Sequence, residues 1–506
     1  MASLVSQASL VKGGLAGLVA AVVGAGSQLL LVVAVTRTYD AHTAGTLFTA
    51  TTLCLMTAGV LKLDSGNALI YFIARSHRPA LISSDISRYF RVALLPVSVL
   101  SLLTGTAVLL YADGLATVTL PGHETSGLAT ALRTLAVALP VLVCADVLVS
   151  ATRGFGVMRP TALLTGVLQP GGQLVLVGLL ALAGVTADPL QALCVAWALP
   201  ALPVLVLATV WLRRRLRLPA PAAVPPRDLA DRTRPALSAS PPHHLAAPGC
   251  PVPGAFPPRR HASAAPRPSG TARLRPRPAV PDAAREFWRY AAPRALGGAV
   301  QAIFQRLDIV IVAVLAGPEH AALYTAATRF KVVGQLVNQG LAQAVHPRLV
   351  RAMANGDLPL ARRLYQTTTM WLVVVTWPIW LGYAALAPWL LAVFGDGYRD
   401  GAAVAVVLAL TMAVATACGM VDVVLIAAGH TASSMANILT ATAVTVALDL
   451  ALVPAHGALG AALGWSGGVV AKNLLPLLQM ARRYGLRPFG AHSLSALRAW
   501  RPEEAA

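Results

Sequence analysis

Charge is scarce in this sequence. Asp, Glu, Lys and Arg make up 12% of its 506 residues, about half of the ~25% carried by a soluble domain. Hydrophobic residues reach 56% and the mean hydropathy is +0.67. That balance excludes a freely soluble globular protein. Aromatic residues are few as well, at 6%, which disfavours a site built from aromatic faces to hold organic cations. There are five cysteines, Cys54, Cys144, Cys194, Cys250 and Cys418, and no spacing among them suggests a metal centre or a disulfide set. Four of them fall in apolar runs, where a free thiol packs as a small hydrophobe. No Gly-rich phosphate-binding loop ending in Lys-Ser/Thr occurs, so the chain carries no nucleotide-driven motor of its own. His42, His123, His320 and His456 are scattered without partners, and the loops around them are short. An enzyme with catalytic groups on ordered extramembrane loops is therefore disfavoured, and no cofactor is expected.

What is present is a series of long apolar runs. Each has about the 20 residues a bilayer requires. They do not alternate in polarity as barrel strands do, so they read as helices, one of the two structures that can satisfy the backbone in lipid. About twelve spans are expected: 12–35, 46–72, 90–112, 129–150, 160–183, 190–212, 290–316, 320–346, 366–394, 402–428, 432–454 and 459–481. The first run carries Lys12 and continues for a full span with no small-residue cleavage site. It reads as a transmembrane helix and not as a removable signal.

Arginine sets the expected orientation. Arg75, Arg78, Arg88 and Arg91 lie between spans two and three, and Arg153 and Arg159 follow span four. Further clusters are Arg213, Arg214, Arg215 and Arg217 after span six, Arg348, Arg351, Arg362 and Arg363 after span eight, and Arg482 and Arg483 after span twelve. All of these fall on one side. The opposite loops hold Asp40, Asp113, Glu124, Asp188, Glu319, Asp396 and Asp400. Both termini and the central segment are thus expected on the cytoplasmic side of a bacterial inner membrane.

The expected organisation is a six-helix membrane bundle over 1–212, a linker over 213–285, a second six-helix bundle over 286–484 and a tail over 485–506. The linker holds fourteen Arg and no Lys, is rich in Pro and Ala, and has no apolar periodicity. It cannot bury enough apolar surface to fold and reads as disordered. Its charge suits anionic membrane lipids, at about 1 kcal/mol per cation near the surface. Nucleic acid is not expected, since no aromatic interleaving or folded module accompanies the charge. The halves also share a local pattern: Leu47-Phe48-Thr49-Ala50-Thr51-Thr52 recurs as Leu323-Tyr324-Thr325-Ala326-Ala327-Thr328. A membrane chain built twice over reads as a transporter, because alternating access is commonly reached by rocking one repeat against the other.

Polar residues at membrane depth mark the candidate site, because an ionisable group there costs roughly 2.5–3.5 kcal/mol on insertion scales. Span seven carries Arg294, Gly297, Gly298, Gln301, Gln305 and Asp308 at spacings that fall on one helix face, with Arg306 beside them. Span eight carries Lys331, Gln335, Asn338, Gln339 and His346 near one stripe. Two readings are open, an aqueous cavity between the two helices or interhelical hydrogen bonding with a local ion pair. Span two holds Lys62, Asp64, Ser65 and Asn67. Lys62 and Asp64 are two apart and do not face each other on a helix. Span five has Gln169 and Gln173 on one face, with Pro170 and Gly171-Gly172 between as a possible bend. Asp146, Asp422, Asp449 and Lys472 are further charges within or near spans, and Asp449 lies toward an end where it could reach water. Lys62, Arg306, Arg329, Lys331 and Lys472 either attract an anionic headgroup or each neutralise a nearby Asp.

Several stretches resemble one known family. They are Leu10-Val11-Lys12-Gly13-Gly14, Leu63-Asp64-Ser65-Gly66-Asn67-Ala68-Leu69-Ile70-Tyr71 with Ile73-Ala74-Arg75, Arg153-Gly154-Phe155-Gly156, Tyr290-Ala291-Ala292-Pro293-Arg294, Arg306-Leu307-Asp308 and Pro347-Arg348-Leu349. Their order resembles the multidrug/oligosaccharidyl-lipid/polysaccharide flippase superfamily, in its polysaccharide-biosynthesis branch. The resemblance implies an all-α membrane protein of two six-helix bundles around a central cavity. It implies a substrate that is an undecaprenyl-pyrophosphate-linked oligosaccharide, driven by a coupling ion such as a proton or sodium, with a polysaccharide polymerase and glycosyltransferases as pathway partners. Lys62 and Lys331 stand nearest the cavity cations thought to hold pyrophosphate. Ala322 departs from the Gly common before the Tyr of span eight, the long linker is atypical, and the two extra spans of the peptidoglycan-precursor branch are missing. An ion-coupled multidrug antiporter of the same superfamily is the alternative.

Overall fold

The computed structural model describes residues 2–75, 84–121, 124–184, 188–217 and 283–493. Among them there is no strand. The first lobe contains α1 (Ala2–Thr38), α2 (Ala41–Leu61), α3 (Ser65–Arg75), α4 (Ser84–Leu110), α5 (Ala112–Thr119) and α6 (Ser126–Gly154). It continues with α7 (Arg159–Leu163), a π-helical turn (Leu164–Leu168), α8 (Gln169–Ala183), α9 (Pro189–Ala198) and α10 (Ala201–Arg217). The second lobe contains α11 (Ala283–Phe304), α12 (Leu307–Ala316), α13 (Pro318–Thr328), α14 (Lys331–Ala354), α15 (Leu358–Ala385) and α16 (Ala387–Ala392). A 3-10 turn (Asp396–Gly401), α17 (Ala402–Ala417), α18 (Val421–Ala427) and α19 (Thr431–Tyr484) complete it.

By length and composition, 9 helices among the described residues can cross a membrane, or 10 if α11 and α12 form one broken span. The 54-residue α19 is two spans in one, because Gly457 breaks it with φ of 53°. The pair α13–α14 supplies the twelfth. It is less apolar than the others because α14 carries the polar stripe, of which Lys331 and Asn338 line the cavity between the lobes. The expected all-helical, two-bundle membrane fold is therefore what the chain adopts.

Several spans expected to be continuous are broken, and three of the breaks bear on the site. Span two stops after Leu61 and resumes at Ser65, with Leu63 and Asp64 at φ of 49° and 53°. Left-handed backbone at two adjacent non-glycine residues costs about 1–3 kcal/mol each and persists only where the surroundings fix it. Here the side chains on both sides of the break are held by ion pairs. Span seven bends by 44° between Phe304 and Leu307, so its polar residues do not form one straight stripe. Span eight turns at Arg329 and Phe330. The expected linker boundaries also shift. Residues 213–217 continue α10 and residues 283–285 open α11, since arginine is a good helix former and its head can reach water beyond the bilayer. The remaining linker residues, Cys250 among them, lie outside the described residues.

The two copies of the repeated hexapeptide meet. Leu47–Thr52 lies on α2 and Leu323–Thr328 on α13, and these helices pack along each other between the lobes. Nearly all of the residues in both copies are buried. Gly45 sits so close to the Pro318 backbone that no Cβ would fit. On the same side Arg37 donates from Nε to the Val393 carbonyl at 2.8 Å and from Nη2 to the Ala392 carbonyl at 2.6 Å, a cation at the C-terminal end of α16 where the helix dipole favours it. On this arginine-poor side the lobes meet backbone to backbone. On the arginine-rich side the lobes touch through side chains. Tyr71 stacks on Tyr290 with centroids 4.5 Å apart, and Glu286 accepts from Arg75 at 3.0 Å and from Tyr89 at 3.2 Å.

Candidate functional site: a cavity with one charged wall

Between the lobes lies a cavity of about 960 Å³. Of the residues singled out in the sequence, Gln169, Gln173, Gln301, Gln305, Arg306, Asp308, Arg329, Lys331, Asn338 and Lys472 line it. The bend in span seven turns Gln301 and Gln305 inward from the end of α11, and Asp308 begins α12. Gln335 lies on α14, its side chain outside the described residues.

Lys62, Asp64, Asn67 and Arg294 do not line the cavity. The break between α2 and α3 sends Lys62 and Asp64 in different directions. Lys62 Nζ pairs with Asp146 Oδ2 at 3.0 Å, and Arg294 Nε pairs with Asp64 Oδ2 at 2.7 Å. Asn67 donates to the other oxygen of Asp64. Arg294 also rests over the Tyr290 ring, 5.4 Å from its centroid. Lys62 thus pairs with Asp146 instead of lining the cavity. The Asp64–Arg294 pair joins the break before α3 to α11 and so belongs to the inter-lobe contact.

The cations that do line the cavity are held differently. Lys331 Nζ lies 3.9 Å from the centroid of the Trp465 ring and 5.8 Å from that of Tyr324. Lys472 Nζ lies 5.4 Å from the Phe304 centroid. No carboxylate lies within ion-pair distance of Lys331, Lys472, Arg306 or Arg329 among the described residues. Aromatic faces stabilise a cation while leaving its N–H groups free for a ligand. Arg329 Nε is buried and has no hydrogen-bond partner.

Asp308 is 4% exposed. It accepts from Tyr324 Oη at 2.7 Å and from the Ile309 amide at 2.9 Å. Asp449 is 0% exposed, and neither of its carboxylate oxygens has a hydrogen-bond partner. It does not reach water, contrary to expectation. The α19 break at Gly457 folds the second arm back along the first and lays Gly464 against Asp449. Asp449 lies within electrostatic range of both Asp308 and Tyr324.

The opposite wall carries Gln169 and Gln173, a pair on one helix face whose register the preceding π-helical turn sets. Gln28 on that wall, and Trp465 and Asn473 on α19 beside the cations, carry no periodic signal in the sequence, because each is a single amide or indole in an apolar run. Gln28 donates to Gln173 Oε1 at 2.7 Å, and Gln173 donates to the Trp197 carbonyl at 2.9 Å. Among the described residues, no group of three His, Cys, Asp or Glu could hold a metal ion.

Residues 269–403 match the family described as "Polysaccharide biosynthesis protein". No curated protein sequence matches. Among solved structures, the chain is similar to a multidrug resistance MATE family transporter of the MOP superfamily in an inward-facing conformation, at 15% identity and a TM-score of 0.64, covering 94% of this chain and 96% of that one. It is similar to the lipid II flippase MurJ in an inward closed conformation, at 10% identity and a TM-score of 0.62, covering 96% and 91%. A MOP superfamily transporter from Pyrococcus furiosus, for which a reversed polarity of the binding pocket suggests a different function, matches at 16% identity and a TM-score of 0.57, covering 94% and 95%.

Proposed function

We propose that this chain, a multi-pass membrane transporter with the fold of the multidrug/oligosaccharidyl-lipid/polysaccharide flippase superfamily, moves an undecaprenyl-pyrophosphate-linked oligosaccharide across the cytoplasmic membrane. The observation that carries the reading is the charge of the cavity. Among the described residues, Arg306, Arg329, Lys331 and Lys472 outnumber the single lining acid, Asp308, and Lys331 and Lys472 rest on aromatic rings with their donors unspent. Such donors recognise phosphate. They would repel an organic cation, which is the ground for placing the antiporter reading second. The match of residues 269–403 to polysaccharide biosynthesis proteins supports the same substrate class.

The mechanism is alternating access. The pyrophosphate sits on the cavity cations, the prenyl tail stays in lipid, and the lobes rock about the α2–α13 contact. With the arginine-rich side cytoplasmic, the α2–α13 contact lies toward the outer side and the substrate would enter the cavity from within. The buried carboxylates Asp308 and Asp449 are the groups through which a proton or sodium gradient would act, since a cation entering there would relieve two acids buried together. The polymerase and glycosyltransferases of the pathway would act before and after this step.

The test is transbilayer movement of a fluorescent prenyl-pyrophosphate oligosaccharide in proteoliposomes, with organic-cation uptake measured in parallel. Movement of the lipid that requires Lys331 supports the proposal. Organic-cation uptake without lipid movement overturns it in favour of the antiporter.

A further inference from the structure

The cavity has two chemically distinct walls. Among the described residues, every ionisable residue that lines it comes from the second lobe: Arg306, Asp308, Arg329, Lys331 and Lys472. The described side chains of the first lobe contribute none. Its polar groups are the hydroxyls of Thr51, Thr52 and Thr165 and the amides of Gln28, Gln169 and Gln173. A phosphate recruits cations. A sugar hydroxyl is both donor and acceptor, and a carboxamide offers both as well.

The amides are arranged, not scattered. Gln173 is 3% exposed, and both ends of its amide are engaged, the oxygen by Gln28 and the nitrogen by the Trp197 carbonyl. Gln173 is therefore a fixed support that orients Gln28, whose own oxygen and second N–H remain unspent. Gln169, one turn before Gln173, makes no side-chain hydrogen bond among the described residues. The wall behind them is stiff, because α1 and the π-helical turn meet at Gly24 and Gly166 with no room for a side chain at Gly24.

We infer that the first-lobe wall is a subsite for the uncharged, hydroxyl-rich portion of the substrate, and that Gln28 and Gln169 are the residues that discriminate among glycans. The inference rests on the flippase reading above. The substrate then spans the cavity, its anionic linkage on one lobe and its sugars on the other, so that release requires the walls to part. A site built to hydrogen-bond a hydroxyl rejects an analogue that lacks it more strongly than an apolar pocket rejects a misfit.

The experiment uses the full chain in nanodiscs and two probes. One is undecaprenyl pyrophosphate without sugar. The other is the prenyl-pyrophosphate oligosaccharide fraction extracted from the cells that carry this chain. Binding is read from intrinsic tryptophan fluorescence, since Trp465 and Trp197 line the cavity. Wild type is expected to bind the sugar-bearing lipid about tenfold or more tightly than the bare lipid, the yield of one to two net hydrogen bonds. Gln28→Leu and Gln169→Leu should each reduce that difference severalfold and leave bare-lipid affinity unchanged, which also shows that the variant is folded. Should a Leu variant fail to fold, Gln28→Asn keeps the amide, shortens its reach and should lose part of the same increment. Lys331→Met should weaken both probes alike. The inference is overturned if sugar adds no affinity to wild type, or if the Gln variants weaken both probes equally. If neither probe binds wild type, the flippase reading itself falls, a result distinct from either.

Discussion

The two lobes treat the polar groups around the cavity in opposite ways. In the first, the amides satisfy one another, as Gln28, Gln173 and the Trp197 carbonyl do, and the unbonded Ser65 Oγ and Arg153 Nε lie away from the cavity. Its charged residues Lys62 and Asp146 pair away from the cavity. In the second, Asp449 has no partner for either carboxylate oxygen, Arg329 leaves its Nε unbonded, and Lys331 is supported only by ring faces. Leaving a buried charge uncompensated costs several kcal/mol. Around the cavity this cost falls on the second lobe, which holds there the groups that must meet a charged ligand or an ion. The neutral lobe is the rigid counterpart against which they work.

Reversing the charge of the second lobe's wall should break the comparison most severely. Lys331→Glu sets a carboxylate against an anionic ligand, replacing an attraction by a repulsion. A charge-assisted hydrogen bond contributes about 1.5–3 kcal/mol, so affinity for undecaprenyl pyrophosphate should fall by more than about a hundredfold in a direct binding titration. Next in size is the contact that brings the walls face to face. Gly45→Val would drive a side chain into the Pro318 backbone and should hold the arginine-poor side open. A Thr52→Cys reporter in the cavity should then react with an impermeant maleimide from that side at least tenfold faster, while transport falls by a similar factor.

A smaller effect of opposite sign is expected at Asp449. Asp449→Asn removes a buried, unpartnered carboxylate and should raise the melting temperature by a few degrees, equivalent to about 1 kcal/mol or more. Any dependence of transport on an ion gradient should be lost with it. The smallest effect belongs to Lys62→Met. Its pair with Asp146 is 41% and 49% exposed, and exposed pairs contribute at most about 1 kcal/mol. Stability and prenyl-pyrophosphate affinity should both change little. A large loss of affinity would return Lys62 to the ligand site.

The sequence disclosed the spans, the doubling and most of the charged wall, because each leaves a signal in composition or spacing. Apolar length marks a helix, and a depth-placed Lys or Arg marks a cost that something must offset. It did not disclose where helices break. Leu63 and Asp64 take left-handed backbone without a glycine to announce it, and that break sends Lys62 to Asp146 and away from the cavity. The bend after Phe304 likewise splits a stripe that ideal helical spacing joins, so that Arg294 serves the inter-lobe contact while Gln301 and Gln305 face the cavity. Asp449 looked terminal because the break at Gly457, which folds the second arm of α19 over it, is a tertiary event. Gln28 was invisible because a single amide in an apolar helix gains its meaning from Gln173, 145 residues away.

The most direct test of the account is the rate at which a fluorescent prenyl-pyrophosphate oligosaccharide crosses the bilayer of proteoliposomes holding either wild type or Lys331→Met. The account predicts crossing with wild type and at least a tenfold slower rate with the variant. Equal rates, or no crossing by wild type together with uptake of organic cations, would contradict it.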